Sequence, residues 1–278
     1  MRKHTTVASA GVQGLEPAVV EPITESLATW TVEGPWRLLQ SNAVPAHKTG
    51  AFPNPGNPNR ISAQSVSARI PLAPEVAAFP TPVKVPGWAL NGVPFDPGAG
   101  EFYQGDPSLG WQYEALSGAV RLGFDENHAH VQPTGIYHYH GLPTLFLYAQ
   151  GVTFEAHSPQ VGWAADGFPI YALYGFEDPE SARSEVIEHS SSYRLREGTR
   201  PSGDGQPGGA YDGTFNADYE LVDGAGTLDA CNGIWTVTPE FPDGTYAYFL
   251  SGSHPVVPRC VVGTPDRSMR RPPPPARP

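Results

Sequence analysis

A turn flanked by two alternating segments restricts this fold more than any other feature. It lies within Asn127-His128-Ala129-His130-Val131-Gln132-Pro133-Thr134-Gly135-Ile136-Tyr137-His138-Tyr139-His140. Proline sets φ for a type I turn, and glycine takes the left-handed conformation that closes a three-residue hairpin loop. Pro133-Thr134-Gly135 therefore predicts a hairpin. With that loop, Gln132 faces Ile136, His130 faces His138 and His128 faces His140. Alternate side chains of a strand share a face, and directly opposed Cβ atoms lie about 4.5–5.5 Å apart. The expected product is a patch of four imidazoles on one sheet face, with Tyr137 and Tyr139 pointing the other way. A loop one residue shorter or longer would split each histidine pair between the two faces.

Four of the nine histidines fall in this segment. Neutral imidazole is the commonest protein metal ligand. The spacing thus predicts a metal centre on His130, His138 and His140, completed by His128, by His157 or by an open position. A surface cluster or pH-sensitive patch is the alternative. Imidazole-only sets suit copper, zinc and iron. No thiolate or thioether is near, so copper is favoured over zinc or iron. Asp166, before Gly167, either orients a ligating imidazole through its other ring nitrogen or makes an Asx-turn. Glu240 is a candidate general base or a loop anchor. His47 is placed to cap the site from outside. Asp212, Asp218, Asp229 and Asn232 form an acid-and-amide set suited to a hard cation, though without the fixed spacing of a calcium loop.

The rest of the chain is dense in turns. Glycine and proline make up 63 of 278 residues and only 16% are charged, which does not suit a helical bundle. Strands are expected at Trp30 to Leu39, Ser65 to Pro71, Val83 to Leu90, Thr144 to Ala149, Val161 to Trp163, Phe168 to Tyr174 and Thr245 to Leu250. Trp111 to Leu122 reads as a short helix with Tyr113, Leu116 and Val120 on one face, and Asp178 to Arg183 as a helix start. Residues 42–60 read as a long ordered loop. The fold class is mainly β: an antiparallel β-sandwich or barrel-like fold with long loops and few short helices. One domain over residues 29–264 is expected between a mobile arm (1–28) and a disordered Pro/Arg-rich tail (265–278).

A net charge of −11 with three lysines argues against nucleic acid as a partner. No apolar run reaches 18 residues, so no membrane span is expected. A small-molecule substrate or ligand remains as the partner class. There is no Gly-x-Ser-x-Gly elbow, P-loop or dinucleotide fingerprint. Cys231 and Cys260 read as a disulfide, with two buried thiols as the alternative. Closing such a loop stabilises by about 3–4 kcal/mol in the chain-entropy model, and a disulfide implies an oxidising compartment. A secreted or periplasmic location follows. No signal peptide is evident: Met1-Arg2-Lys3-His4 is basic and Ala8-Ser9-Ala10 looks like a cleavage site, but no apolar stretch separates them.

Tyr137-His138-Tyr139-His140 is the signature that names the YHYH domain family, and the chain resembles that family well beyond it. Asn127 to Gly141, Ser41 to His47, Phe52 to Asn59, Leu90 to Phe95 and Gly162 to Tyr171 are all similar to its segments. So are Asp212 to Phe215, Asp218 to Glu220, Leu228 to Gly233 and Thr238 to Glu240. The likeness covers roughly residues 36 to 263. The chain departs from the pattern at His128 and at Asp223 to Thr227. The resemblance implies a largely bacterial, often secreted β-rich unit, and carries no shared activity. Three function classes stay open. The favoured one is an extracytoplasmic metalloprotein with a His-rich mononuclear centre, as an enzyme a metal-dependent oxidoreductase. The others are a non-catalytic metal- or ligand-binding module and a zinc-dependent hydrolase with Glu240 or Asp166 as base.

Overall fold

The computed structural model describes residues 14–266. The first half of the expected arm and nearly all of the expected tail lie outside the described residues. Among the described residues the chain is mainly β, with one α-helix and no sheet closed into a barrel. The largest sheet has five strands in the spatial order Gly233–Thr236, Thr245–Phe249, Pro169–Tyr171, Gln160–Ala164, Gly87–Ala89. Its pairings are antiparallel except for the parallel contact of Tyr248 and Phe249 with Ile170 and Tyr171. A second, antiparallel sheet joins Ala28–Glu33, Trp36–Ser41 and Val66–Pro71.

Period-2 patterning explains how these sheets bury one face. In Val66–Pro71, Ala68 and Ile70 are buried while Ser67 and Arg69 are exposed. Leu39, Ala68 and Ile70 of the three-stranded sheet join Trp88, Ala89, Val161 and Ile170 of the five-stranded sheet in one core. Thr245–Phe249 is buried at every residue, as a central strand covered on both faces must be. The expected strand at Trp30 to Leu39 is two strands, because Gly34 at φ +56° and Pro35 turn the chain between Glu33 and Trp36. Cys231 and Cys260 form the expected disulfide.

Three expectations fail for identifiable reasons. Thr144–Ala149 is the α-helix, not a strand. Its sequence, Thr-Leu-Phe-Leu-Tyr-Ala, is ambiguous by composition. The arbiter lies elsewhere in the chain: the Asn127 side chain accepts the Leu145 N–H at 3.0 Å, satisfying a helix N-terminal donor that has no partner within its own helix. Trp111 to Leu122 is not helical. Gln112 and Tyr113 are bridged to Phe102 and Phe215 instead, and Gly118 sits at φ +77°. Asp178 to Arg183 forms tight turns, with Asp178 accepting from Glu180 N at 3.0 Å. The described part of the expected arm is tied down, since Glu16 bridges Asp125 and Val20 bridges Thr49.

Candidate metal centre

The histidine segment folds as a hairpin of Ala129–Val131 and Tyr137–Tyr139, with His130 directly opposite His138. Gln132 N donates to Ile136 O at 2.9 Å, and Gly135 takes φ +88°, so the loop is Pro133-Thr134-Gly135 as its chemistry requires. Two asparagines clamp the first strand: Asn57 and Asn59 donate their side-chain amides to Val131 O at 2.9 and 2.8 Å.

His130, His138 and His140 converge on one face. His140 Nε2 lies 2.7 Å from His138 Nε2 and 3.1 Å from His130 Nε2. The opposite ring nitrogens explain this geometry. His130 Nδ1 meets Leu122 O at 2.8 Å, and His138 Nδ1 meets Ile136 O at 3.2 Å. A carbonyl only accepts, so each of these Nδ1 atoms carries the proton. Both Nε2 atoms are then bare lone pairs aimed at the space His140 Nε2 shares. Three such atoms need either a proton on His140 or a cation between them. His140 Nδ1 is buried and without a hydrogen-bond partner among the described residues. Neither tautomer of His140 is therefore fully satisfied by protein atoms alone. Ligands about 2.0–2.1 Å from a tetrahedral ion stand about 3.3 Å apart, near the His130–His140 separation, and the closer His138–His140 pair would open slightly to hold one. The donor set fits a first-row transition metal.

Burial holds all three rings neutral. It pushes His138 down to about 3, with the neighbouring His130 adding to the effect. Burial, then His138 and His130, hold His140 well below the ordinary imidazole value. Burial also lowers His130, against its bond to Leu122. Phe124 packs on His130 and His140 with ring centroids 4.7 and 5.1 Å away. On the far side the triad opens. His130 and His138 line a cavity of about 430 Å³ with Asn57, Asn59, Lys84, Asp96 and Gln132. Gln132 donates to Asp96 across it at 3.2 Å.

The other expected site residues stand apart from this cluster. His140 N donates to His128 O at 2.9 Å, so the backbone pairing runs as expected. The His128 ring does not follow. His128 closes the turn that starts at Asp125 and sits at φ +51°, which breaks the alternation; its Nδ1 meets Leu142 O at 2.9 Å. The expected four-imidazole patch is thus a three-imidazole one. His157 packs among Tyr171, Phe176 and Phe249, with Nδ1 on Ser158 O at 2.7 Å. Asp166 makes the Asx-turn, accepting Phe168 N at 3.4 Å, and also accepts Tyr248 Oη at 2.6 Å and Gly263 N at 2.8 Å. Glu240 accepts Tyr171 Oη at 2.8 Å. Backbone carbonyls, not these carboxylates, orient His130 and His138. His47 lies on the tyrosine face, bonded to Tyr139 Oη at 2.7 Å. The suggested hard-cation set is dispersed: Arg200 pairs with both Asp212 and Asp218, while Asp229 accepts Tyr246 Oη at 2.7 Å.

One buried group escaped sequence reasoning. Asp125 underlies the hairpin from the tyrosine side, accepting Tyr137 Oη at 2.7 Å, Gly50 N at 2.9 Å and Asn127 N at 2.9 Å. Burial raises its carboxyl to about 6 despite these donors. The sequence does not mark it, because apart from the neighbouring Asn127 its partners come from residue 50 and from the far strand.

A family model described as YHYH protein matches residues 67–263. No curated protein and no solved structure matches the chain.

Proposed function

The chain belongs to the YHYH protein family, and we propose that it is an extracytoplasmic metalloprotein whose mononuclear centre is His130, His138 and His140. One observation carries the reading: the buried His138 and His140 and the half-buried His130 present Nε2 atoms to a common point, with two of the three tautomers fixed by carbonyls. Imidazole-only ligation favours copper over zinc or iron. The polar cavity against His130 and His138 leaves one side of the centre open to a small molecule. A metal bound there would supply Lewis-acid or redox chemistry, and a metal-dependent oxidoreductase is the enzyme class we favour. The chain's own residues exclude water behind His140 through Phe124, keep the imidazoles unprotonated by burial, and offer Lys84, Gln132 and the two asparagines as polar contacts. The Cys231–Cys260 disulfide supports an oxidising compartment.

Elemental analysis of the purified protein tests this. About one transition-metal ion per chain is expected, with copper outcompeting zinc in a loading titration. The double variant His138→Ala/His140→Ala should be folded and bind none. Full stoichiometry in that variant would overturn the assignment.

A further inference from the structure

We propose that a second cavity, lined by Thr144, Leu147 and Tyr148 of the Thr144–Ala149 helix, is a binding site for a small organic cation with an apolar body. The cavity holds about 690 Å³, within the range of small-molecule sites, which runs to roughly 1,000 Å³. Its floor is apolar, with Leu147, Leu173 and Val152 all buried. Such a floor has apolar surface to offer a ligand and no charge to satisfy.

The rim supplies the selectivity. Tyr148 and Phe154 line the cavity and stay 73% and 72% exposed. Large rings left in water beside an apolar hollow gain by being covered. Their faces carry the negative end of a quadrupole and attract a cation. Glu155 and Glu188 line the same space, and no lysine or arginine does so among the described residues. Two carboxylates and two aromatic faces around an apolar floor repel an anion, give a neutral ligand only hydrophobic contact, and favour an ammonium on an aromatic or aliphatic body. The volume commits the occupant to a free small molecule and not to a segment of another protein. This site is independent of the metal reading.

Titration with benzyltrimethylammonium, followed by calorimetry and by NMR, tests the assignment. That probe has no lone pair, so it cannot coordinate a metal at the histidine triad. Saturable binding at one site is expected, with the shifts confined to residues 142–155 and 173–188. 2-Phenylethanol should bind about 10-fold more weakly and phenylacetate more weakly still, as a cation–π contribution of about 0.5–2 kcal/mol implies. Glu155→Gln/Glu188→Gln should weaken the cation while leaving 2-phenylethanol unaffected, and Tyr148→Ala should weaken the cation as well. These are exposed positions, so an unchanged melting temperature separates loss of binding from loss of fold. Equal affinity for the cation and the alcohol, undiminished cation binding in the double variant, or no saturable binding at all would each overturn the proposal.

Discussion

At the scale of single residues, the centre separates histidines that share a sequence pattern but not a chemistry. His130, His138 and His140 have converging Nε2 atoms; the Nδ1 atoms of His128 and His157 are bonded to carbonyls of Leu142 and Ser158, and their rings lie elsewhere. Substitution should sort them accordingly. His138→Ala or His140→Ala should weaken metal binding at least about 100-fold, since even the loss of an outer-shell partner typically costs 10–100-fold. His128→Ala and His157→Ala should retain full stoichiometry in the same elemental assay. Loss of metal in His157→Ala with the fold intact would mean the ligand set is wrong. The spacing put all four rings of the segment on one face, and three of them converge there, because period 2 in a strand is a strong rule. It misjudged His128 because a non-glycine residue at positive φ leaves no mark in the sequence: the residue closes a turn whose other bonds depend on Asp125 and Leu142.

At the scale of elements, the hairpin is the part of the site most legible in the sequence, since Pro133 and Gly135 specify its loop and the loop specifies its register. What holds the hairpin in place was less legible. Asn57, Asn59 and Asp125 reach it from distant segments, and the Thr144–Ala149 helix is capped by Asn127. Tertiary partners of this kind override local propensity, which is why an apolar six-residue run expected as a strand is a helix. Gly135 tests the element as a unit. It sits at φ +88°, its carbonyl accepts Ser62 N at 3.0 Å, and a Cβ there would lie 2.0 Å from Ser62 Oγ. Gly135→Val adds a β-branched side chain to a conformation it disfavours, at a cost of about 1–3 kcal/mol from backbone strain before the clash is counted. The melting temperature should fall and the metal affinity with it, although no ligand is removed. Wild-type metal affinity in a destabilised Gly135→Val protein would show that the register does not set the site.

At the scale of the whole molecule, two features outside the centre decide when the scaffold survives. The first is the disulfide, which joins the turn just before Gly233–Thr236 to the strand Cys260–Gly263, 29 residues further along the chain. Its reduction should remove about 3–4 kcal/mol in the chain-entropy model, read as a lower urea midpoint, and thiol titration without reductant should find no reactive cysteine. The second is acid. His189 and His254 are buried, and burial lowers each to about 4, in His254 against the pull of Glu114. An unfolded chain takes up these protons near pH 6.5, while the folded protein refuses them until about pH 4. Their contribution is therefore complete above pH 6.5 and is lost as the pH falls from 6.5 to 4, by up to about 3 kcal/mol each. Asp125 acts in the opposite direction. Held at about 6 by burial, it binds its proton in the folded state before the unfolded chain does, and returns up to about 3 kcal/mol between pH 6 and 3.8. In the metal-free protein His138, held to about 3, and the lowered His130 and His140 add to this loss, so the histidines outweigh the one carboxyl and acidification is a net loss. Urea unfolding of the chelator-treated protein should give a stability plateau above pH 7 and a fall of a few kcal/mol by pH 4. His254 stacks on Tyr219 at 3.8 Å, so His254→Phe keeps the ring stack and removes the titration. That variant should lose up to about 3 kcal/mol of the acid-dependent fall, and a slope equal to that of the parent protein would remove His254 from the account.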